Sequence, residues 1–182
     1  MKKLISFSAA ALLVISVGIG SYWYYSPYLA MNSVLAAAKD KDADKFNEKV
    51  DYPRIRESLK GQMSAQMAKT VSEQSGNPFS ALGAMLGVAM VNQMVDAFVR
   101  PEMVMQMMQD GKVKISKAAG ASEPSGEIEA TWTIQRQGTD RVIAVPTKAA
   151  EQPNGDEPRF VFERSGFATW KLTDLLLKFP GK

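Results

Sequence analysis

The sequence predicts an α+β fold: an N-terminal membrane helix, then several helices packed on one face of a four-strand antiparallel meander. Three observations carry this. Leu4 to Gly20 contains no charged residue, apolar residues recur at helical spacing between Pro27 and Gly111, and beyond Gly111 the apolar period falls from about 3.6 to 2. The predicted division is a membrane anchor or signal segment over residues 1–25 and an exported domain over 26–182. Within that domain, 26–111 form a helical half and 112–182 a sheet half.

The N-terminal segment opens with Lys2 and Lys3, and the uncharged run continues to Tyr25. At about 1.5 Å per helical residue such a block reaches across roughly 30 Å of hydrocarbon. Two readings compete. A cleaved signal needs a small-x-small site, for which Gly18-Ile19-Gly20 is the only suitable stretch, and Gly is a poorer match than Ala. An uncleaved anchor needs a membrane exit, which Tyr22, Trp23, Tyr24 and Tyr25 supply as rings with an apolar body and a polar tip. The sequence favours the anchor. With Lys2 and Lys3 held inside, everything after Tyr25 is exported, and residues 4–25 contact membrane lipid.

Ser26-Pro27 reads as a helix start, because Ser is a favoured N-cap and Pro suits the first helical turn. A helix to about Lys39 would bury Met31, Val34, Leu35 and Ala38; a short one, Ala43 to Val50, would bury Phe46 behind an Asp42 cap. The stretch from Val50 onward places Pro53 in a first turn and Ile55, Leu59, Met63, Met67 and Val71 at every fourth position. Asn77-Pro78 starts the next helix, Phe79 to Arg100, with a polar stripe of Asn92, Asp96 and Arg100. That helix is expected to be central to the exported core. Gly83 and Gly87 have membrane-contact spacing, but Asn92, Gln93 and Asp96 make a second crossing expensive. Pro101 begins a last short helix that Asp110-Gly111 stops.

In the sheet half, Glu127 to Gln137 alternates without error, directing Ile128, Ala130, Trp132 and Ile134 to one face. Gly138-Thr139-Asp140 turns it into Arg141 to Val145, which Pro146 closes. Arg159 to Arg164 and the strand through Trp170 form a second hairpin, for which Ser165-Gly166 predicts a two-residue turn. Ala168, Trp170 and Leu172 share the inner face. The segments 117–126 and 147–158 read as polar loops.

The stretches from Ser26 to Met63, Met94 to Glu102 and Ser165 to Pro180, with Asp51, Pro53 and Arg56 in an Asp-x-Pro-x-x-Arg pattern, resemble the bacterial domain of unknown function family 2939. The resemblance implies a bacterial protein with an N-terminal hydrophobic segment, and it brings no activity. The helices-then-meander order and the closing Trp170-Lys171-Leu172 strand also look like the nuclear-transport-factor-like fold, as an analogy of layout that cannot choose a function.

The chemistry is narrow. The chain has neither His nor Cys, which removes the commonest general base, thiolate nucleophiles and the usual zinc ligands. No cofactor and no metal are expected. Asp40, Asp42 and Asp44 lack the Gly and bidentate Glu of a calcium loop and are interleaved with lysines. The eleven methionines, including Met63, Met67, Met85, Met90, Met94 and Met103 to Met108, read as core filler. Without Lys2 and Lys3 the charge is 20 basic against 19 acidic residues, net +1, so no nucleic-acid partner is expected. Asp51, Arg54 and Arg56 around Pro53 are candidate contacts to a ligand or partner, as are Trp132 and Trp170 if the helices leave a gap over the sheet. Asp96 and Arg100 are spaced to pair along one helix.

These features point to a non-catalytic exported module in the bacterial envelope, anchored once in the inner membrane and facing the periplasm. It would bind an envelope protein or an apolar ligand through its Met-rich helix and sheet face. The alternatives are an assembly accessory docking on an envelope complex through its anchor, a cleaved soluble periplasmic form, and a carboxylate-based hydrolase.

Overall fold

A computed structural model describes residues 2–73, 80–110, 131–147 and 157–177, with side chains from residue 12 and without those of 70–73 and 80–86. Helix α1 runs Lys2–Lys39, α2 Ala43–Glu48, α3 Tyr52–Glu73, α4 Ser80–Phe98 and α5 Pro101–Asp110. Strands β1 (Trp132–Arg136), β2 (Arg141–Pro146), β3 (Arg159–Arg164) and β4 (Trp170–Leu176) form one sheet in the order β1-β2-β3-β4, each neighbouring pair antiparallel. The helices-then-meander expectation is met. The expected Asn77-Pro78 cap, the strand positions 127–130 and most of both loops lie outside the described residues.

The expected helix start at Ser26 is absent, because α1 runs unbroken through Pro27. It ends where Lys41 adopts φ 55, with Asp42 N–H donating to Ala37 O and Lys41 N–H to Ala38 O. This is the paired bond pattern that closes a helix on a left-handed residue. Asp42 then caps α2, its Oδ1 accepting from Lys45 N–H at 3.1 Å. The bond from the Lys45 side chain and then that from its backbone hold the Asp42 carboxyl below the usual range. α2 stops two residues earlier than expected, since Val50 leaves to pair in parallel with Leu172.

That pairing fixes the edge of the sheet. Leu172 N–H donates to Lys49 O and Asp51 N–H donates to Leu172 O, so residues 49–51 cover the outer side of β4. Farther along, Gln62 of α3 donates to Leu175 O and accepts from Leu177 N–H. Both interactions occupy edge groups that would otherwise be open to another strand.

One face of the sheet carries Val142, Ala144, Phe160, Phe162, Trp170, Leu172 and Leu175 against buried residues of the helices. Trp170 and Leu172 alternate as expected. The shift between Val161 and Phe162 then inserts Thr173 as an extra residue, so Leu175 rather than Asp174 takes the next inward position. The opposite face carries a smaller cluster of Ile143, Val145 and Val161. The expected two-residue turn is instead a five-residue loop, with Arg164 paired to Trp170 and Ser165 N–H donating to Thr169 O. Ala168 therefore sits in the loop, outside the strand.

α4 packs on α3, and among its described side chains Val91 and Val95, continued by Val99 just past its end, enter the main core cluster. A Cβ on Gly87 would meet the end of Met67, so this glycine serves the α3–α4 approach. Among the described residues no helix is long and apolar enough to cross a membrane. The side chains of 2–11, where the apolar block begins, lie outside them.

Candidate functional site

The feature that singles out one place in the molecule is the joint where α1 meets the sheet. Pro27 lacks an N–H, so the carbonyl four residues back, that of Trp23, loses its helical donor. Ser26 Oγ–H donates to Trp23 O at 2.8 Å in its place, and the same Oγ accepts from Trp170 Nε1–H at 2.8 Å. Ser26 and Trp170 are both 2% exposed, so this chain of bonds is sealed in the core. The residue pair that locally resembles a helix cap is a mid-helix splice bonded to the last strand.

Two arginines close over the splice. Arg136 and Arg164 follow Ile134 and Phe162 at inward-facing strand positions. The Arg164 guanidinium carbon lies 4.2 Å from the ring centre of Trp23 and 4.4 Å from that of Trp170, stacking between them. Its nitrogens also bond Asp140 Oδ1 at 2.9 Å, Thr139 O at 3.1 Å and Phe167 O at 2.5 Å. One side chain thus ties both hairpin tips to α1, using the planar fork that Lys lacks. Arg136 lies 4.2 Å from the ring centre of Tyr24 and donates to the Tyr24 carbonyl.

The aromatic run expected to contact membrane is therefore split. Tyr22, Tyr24 and Tyr25 are exposed, Tyr24 with Arg136 against one side of its ring, whereas Trp23 is partly buried against Arg164. The other proposed contacts do not converge. Asp51 caps α3, its Oδ1 accepting from Arg54 N–H at 3.2 Å, while Arg54 pairs with Glu163 at 2.7 Å. Arg56 turns to α4, donating to Val99 O at 3.0 Å at that helix's C-terminal end. Asp96 reaches across to Lys60 at 2.9 Å and to Arg56, rather than pairing along its own helix with Arg100. Trp132 and Trp170 share a sheet face, Trp170 buried in the core cluster and Trp132 packed against it. Trp132 stacks edge-on against Phe160 and donates to Met108 O at 3.0 Å. Burial pushes the Tyr52 phenol up to about 12, with Glu102 adding to the shift and Arg56 opposing it.

Two further surfaces have chemical character. A cavity of about 240 Å³ is lined by Arg54, Glu57, Ser58, Arg141, Glu163, Thr173 and Asp174, of mixed charge and with the Arg54–Glu163 pair at its wall. On α4, Val88, Met90 and Met94 are exposed, Met90 to 71%. These two methionines are not the core filler expected of them, whereas Met105, Met107 and Met108 are buried as filler should be. Among the described residues no group of three or more His, Cys, Asp or Glu could hold a metal ion.

Sequence reasoning missed the arginine clamp. A signal existed: an Arg at an inward-facing position at a strand end needs aromatic or carbonyl partners, and the aromatic cluster at Tyr22 to Tyr25 was conspicuous.

These elements define a small α+β domain crossed by one long helix, with an arginine and tryptophan clamp where helix and sheet meet. The chain belongs to the family described as Protein of unknown function (DUF2939), whose model matches residues 17–107. The match runs from within α1 to within α5, taking in Trp23, Ser26 and Pro27 but not the sheet. No curated protein and no solved structure matches the chain.

Proposed function

We propose that the protein is a non-catalytic envelope module, held at the membrane by the N-terminal part of α1 and offering the outer face of α4 to a protein partner. The observation that carries the anchor is the exposure of α1 ahead of the clamp. Leu12, Leu13, Val14 and Ile15 are all exposed, Leu12 to 66% and Val14 to 69%. Four consecutive helical residues span almost a full turn, so this part of α1 is apolar on every side and needs a non-aqueous cover. The uncharged block begins at Leu4 and is preceded by Lys2 and Lys3. That length and flank suit one crossing with the domain outside.

Partner binding is supported by Val88, Met90 and Met94, since flexible exposed methionines suit adaptable protein contacts. On the described part of the inner sheet face the strand residues pack against buried helix residues. Non-catalytic function is supported by the absence of His and Cys and by the carboxylates engaged in ion pairs at Glu163 and Asp96. The test is a topology reporter active only outside the cytoplasm, fused after Gly61 and after Lys182. Activity from both, with the protein in the membrane fraction at full mass, fits the proposal; silence from both, or a soluble chain beginning near Ser21, contradicts it.

A further inference from the structure

We propose that the two hairpin tips of the sheet rest on the lipid headgroup layer, with Phe167 dipping into it as a second membrane contact beside α1. This rests on the anchor reading above and deepens it. Phe167 is 63% exposed at the crest of the β3–β4 loop. The loop that carries it is held firmly. Arg164 bonds the Phe167 carbonyl, and a Cβ on Gly166 would fall 2.4 Å from Thr169 Oγ1, so the chain there is tightly folded. The exposed ring is thus presented by a fixed frame.

The frame points toward the exit of α1. The guanidinium that holds Phe167 O also stacks on Trp23 and bonds Thr139 and Asp140 in the β1–β2 turn. Both tips therefore lie beside Trp23. From there the exposed apolar stretch resumes at Ile19, about one helical turn of roughly 5.4 Å away. If that stretch sits in hydrocarbon, the tips sit at headgroup depth, where aromatic rings are favoured. The charges agree. Asp140 is the only acidic residue of either tip and is paired with Arg164, while Gln137, Gly138, Thr139, Ser165, Gly166, Ala168 and Thr169 are uncharged. Only Asp140, its side chain still 68% exposed beside Arg164, resists dehydration, and it keeps that side of the β1–β2 turn at the watery edge of the headgroup layer.

The chain has no Cys, so single-cysteine labelling needs no background removal. The full chain is reconstituted into phosphatidylcholine–phosphatidylglycerol vesicles with an environment-sensitive fluorophore at Phe167→Cys, Gly18→Cys or Asp40→Cys. Lipids brominated near the headgroup or deep in the acyl chain serve as quenchers. Gly18 has open space around an added Cβ, and Asp40 lies at the far end of α1. The expected result is loss of fluorescence at Phe167→Cys with shallow bromines, loss at Gly18→Cys with bromolipid, and none at Asp40→Cys. Quenching at Gly18 with Phe167 no more affected than Asp40 overturns the tip contact and leaves the anchor standing. No quenching at Gly18 overturns the anchor, and the tip contact with it.

Discussion

The two halves of α1 have the same apolar character and opposite fates. Before the clamp, Leu12 to Ile19 are exposed; after it, Met31, Val34, Ala37 and Ala38 are buried, Val34 to 1%. Helical propensity does not separate them, and both belong to one continuous helix. What differs is the surface each half meets. The C-terminal half lies against α2, α5 and β4, whereas among the described residues no buried core residue comes from α1 before Ser26. Apolar content says that a helix must be covered, but only the rest of the chain says by what. Ser26, Pro27, Trp170 and Arg164 mark the change of cover.

The strongest way to break this comparison is to remove the ring at the boundary. Trp170→Ala deletes a buried aromatic, the donor to Ser26 and one face of the Arg164 stack, and should destabilise the domain by about 3–5 kcal/mol. Denaturant unfolding followed by far-UV circular dichroism measures it.

A matched pair sharpens the contrast. Val34→Ala should cost about 2 kcal/mol, from two lost methyl groups and the space they leave. Val14→Ala, at the same residue type on the same helix, should stay within about 0.5 kcal/mol of wild type in unfolding. Equal losses at both sites would mean that the two halves share one environment.

Ser26→Ala comes next, at about 1–3 kcal/mol, since it leaves Trp170 Nε1 and the Trp23 carbonyl without their partner. Adding Pro27→Ala returns an N–H to the Trp23 carbonyl and should recover part of the loss. A double-mutant cycle reads this as coupling, and simple additivity would contradict the splice.

How much of this was legible follows from the same residues. Strand alternation was readable because each side chain's face is set by its own neighbours, as in Trp132 and Ile134 or Phe160 and Phe162. The bulge at Thr173 was not, because it arises from pairing with Val161 rather than from anything within β4. Ser26-Pro27 carried the right signal for the wrong structure: a Ser before Pro caps a helix unless a distant donor such as Trp170 rewards continuing it. The role of Arg164 was hidden by distance, since Trp23 lies far away in the chain. Met90 and Met94 fitted an apolar stripe, but α4 packs chiefly on α3, so one side of that stripe stays outside.

The smallest effect lies off α1 and serves as its control. Tyr52 hydrogen-bonds Asn47 at 2.6 Å, and its phenol is raised to about 12. Stability that depends on the neutral phenol is complete below its ordinary value near 10.0 and is lost as pH climbs toward about 12. Because the ring is about half exposed, solvent screens the loss and it should be slight. Tyr52→Phe should flatten the alkaline limb of a stability–pH profile while leaving the Val34 and Val14 contrast untouched.

The central claim is that α1 is one rigid helix through Pro27, carrying an anchor half and a core half in fixed relation. Spin labels at Gly18→Cys and Lys171→Cys, in a chain with no other cysteine, report this directly by pulsed electron–electron resonance in vesicles. A single narrow distance distribution is predicted, because Ser26, Arg136 and Arg164 lock the helix to the sheet just ahead of the proline and the buried Met31 and Val34 hold it to the core behind. A broad or two-peaked distribution would mean that the chain hinges at Ser26-Pro27, as its local cap signal suggests, and would contradict the account.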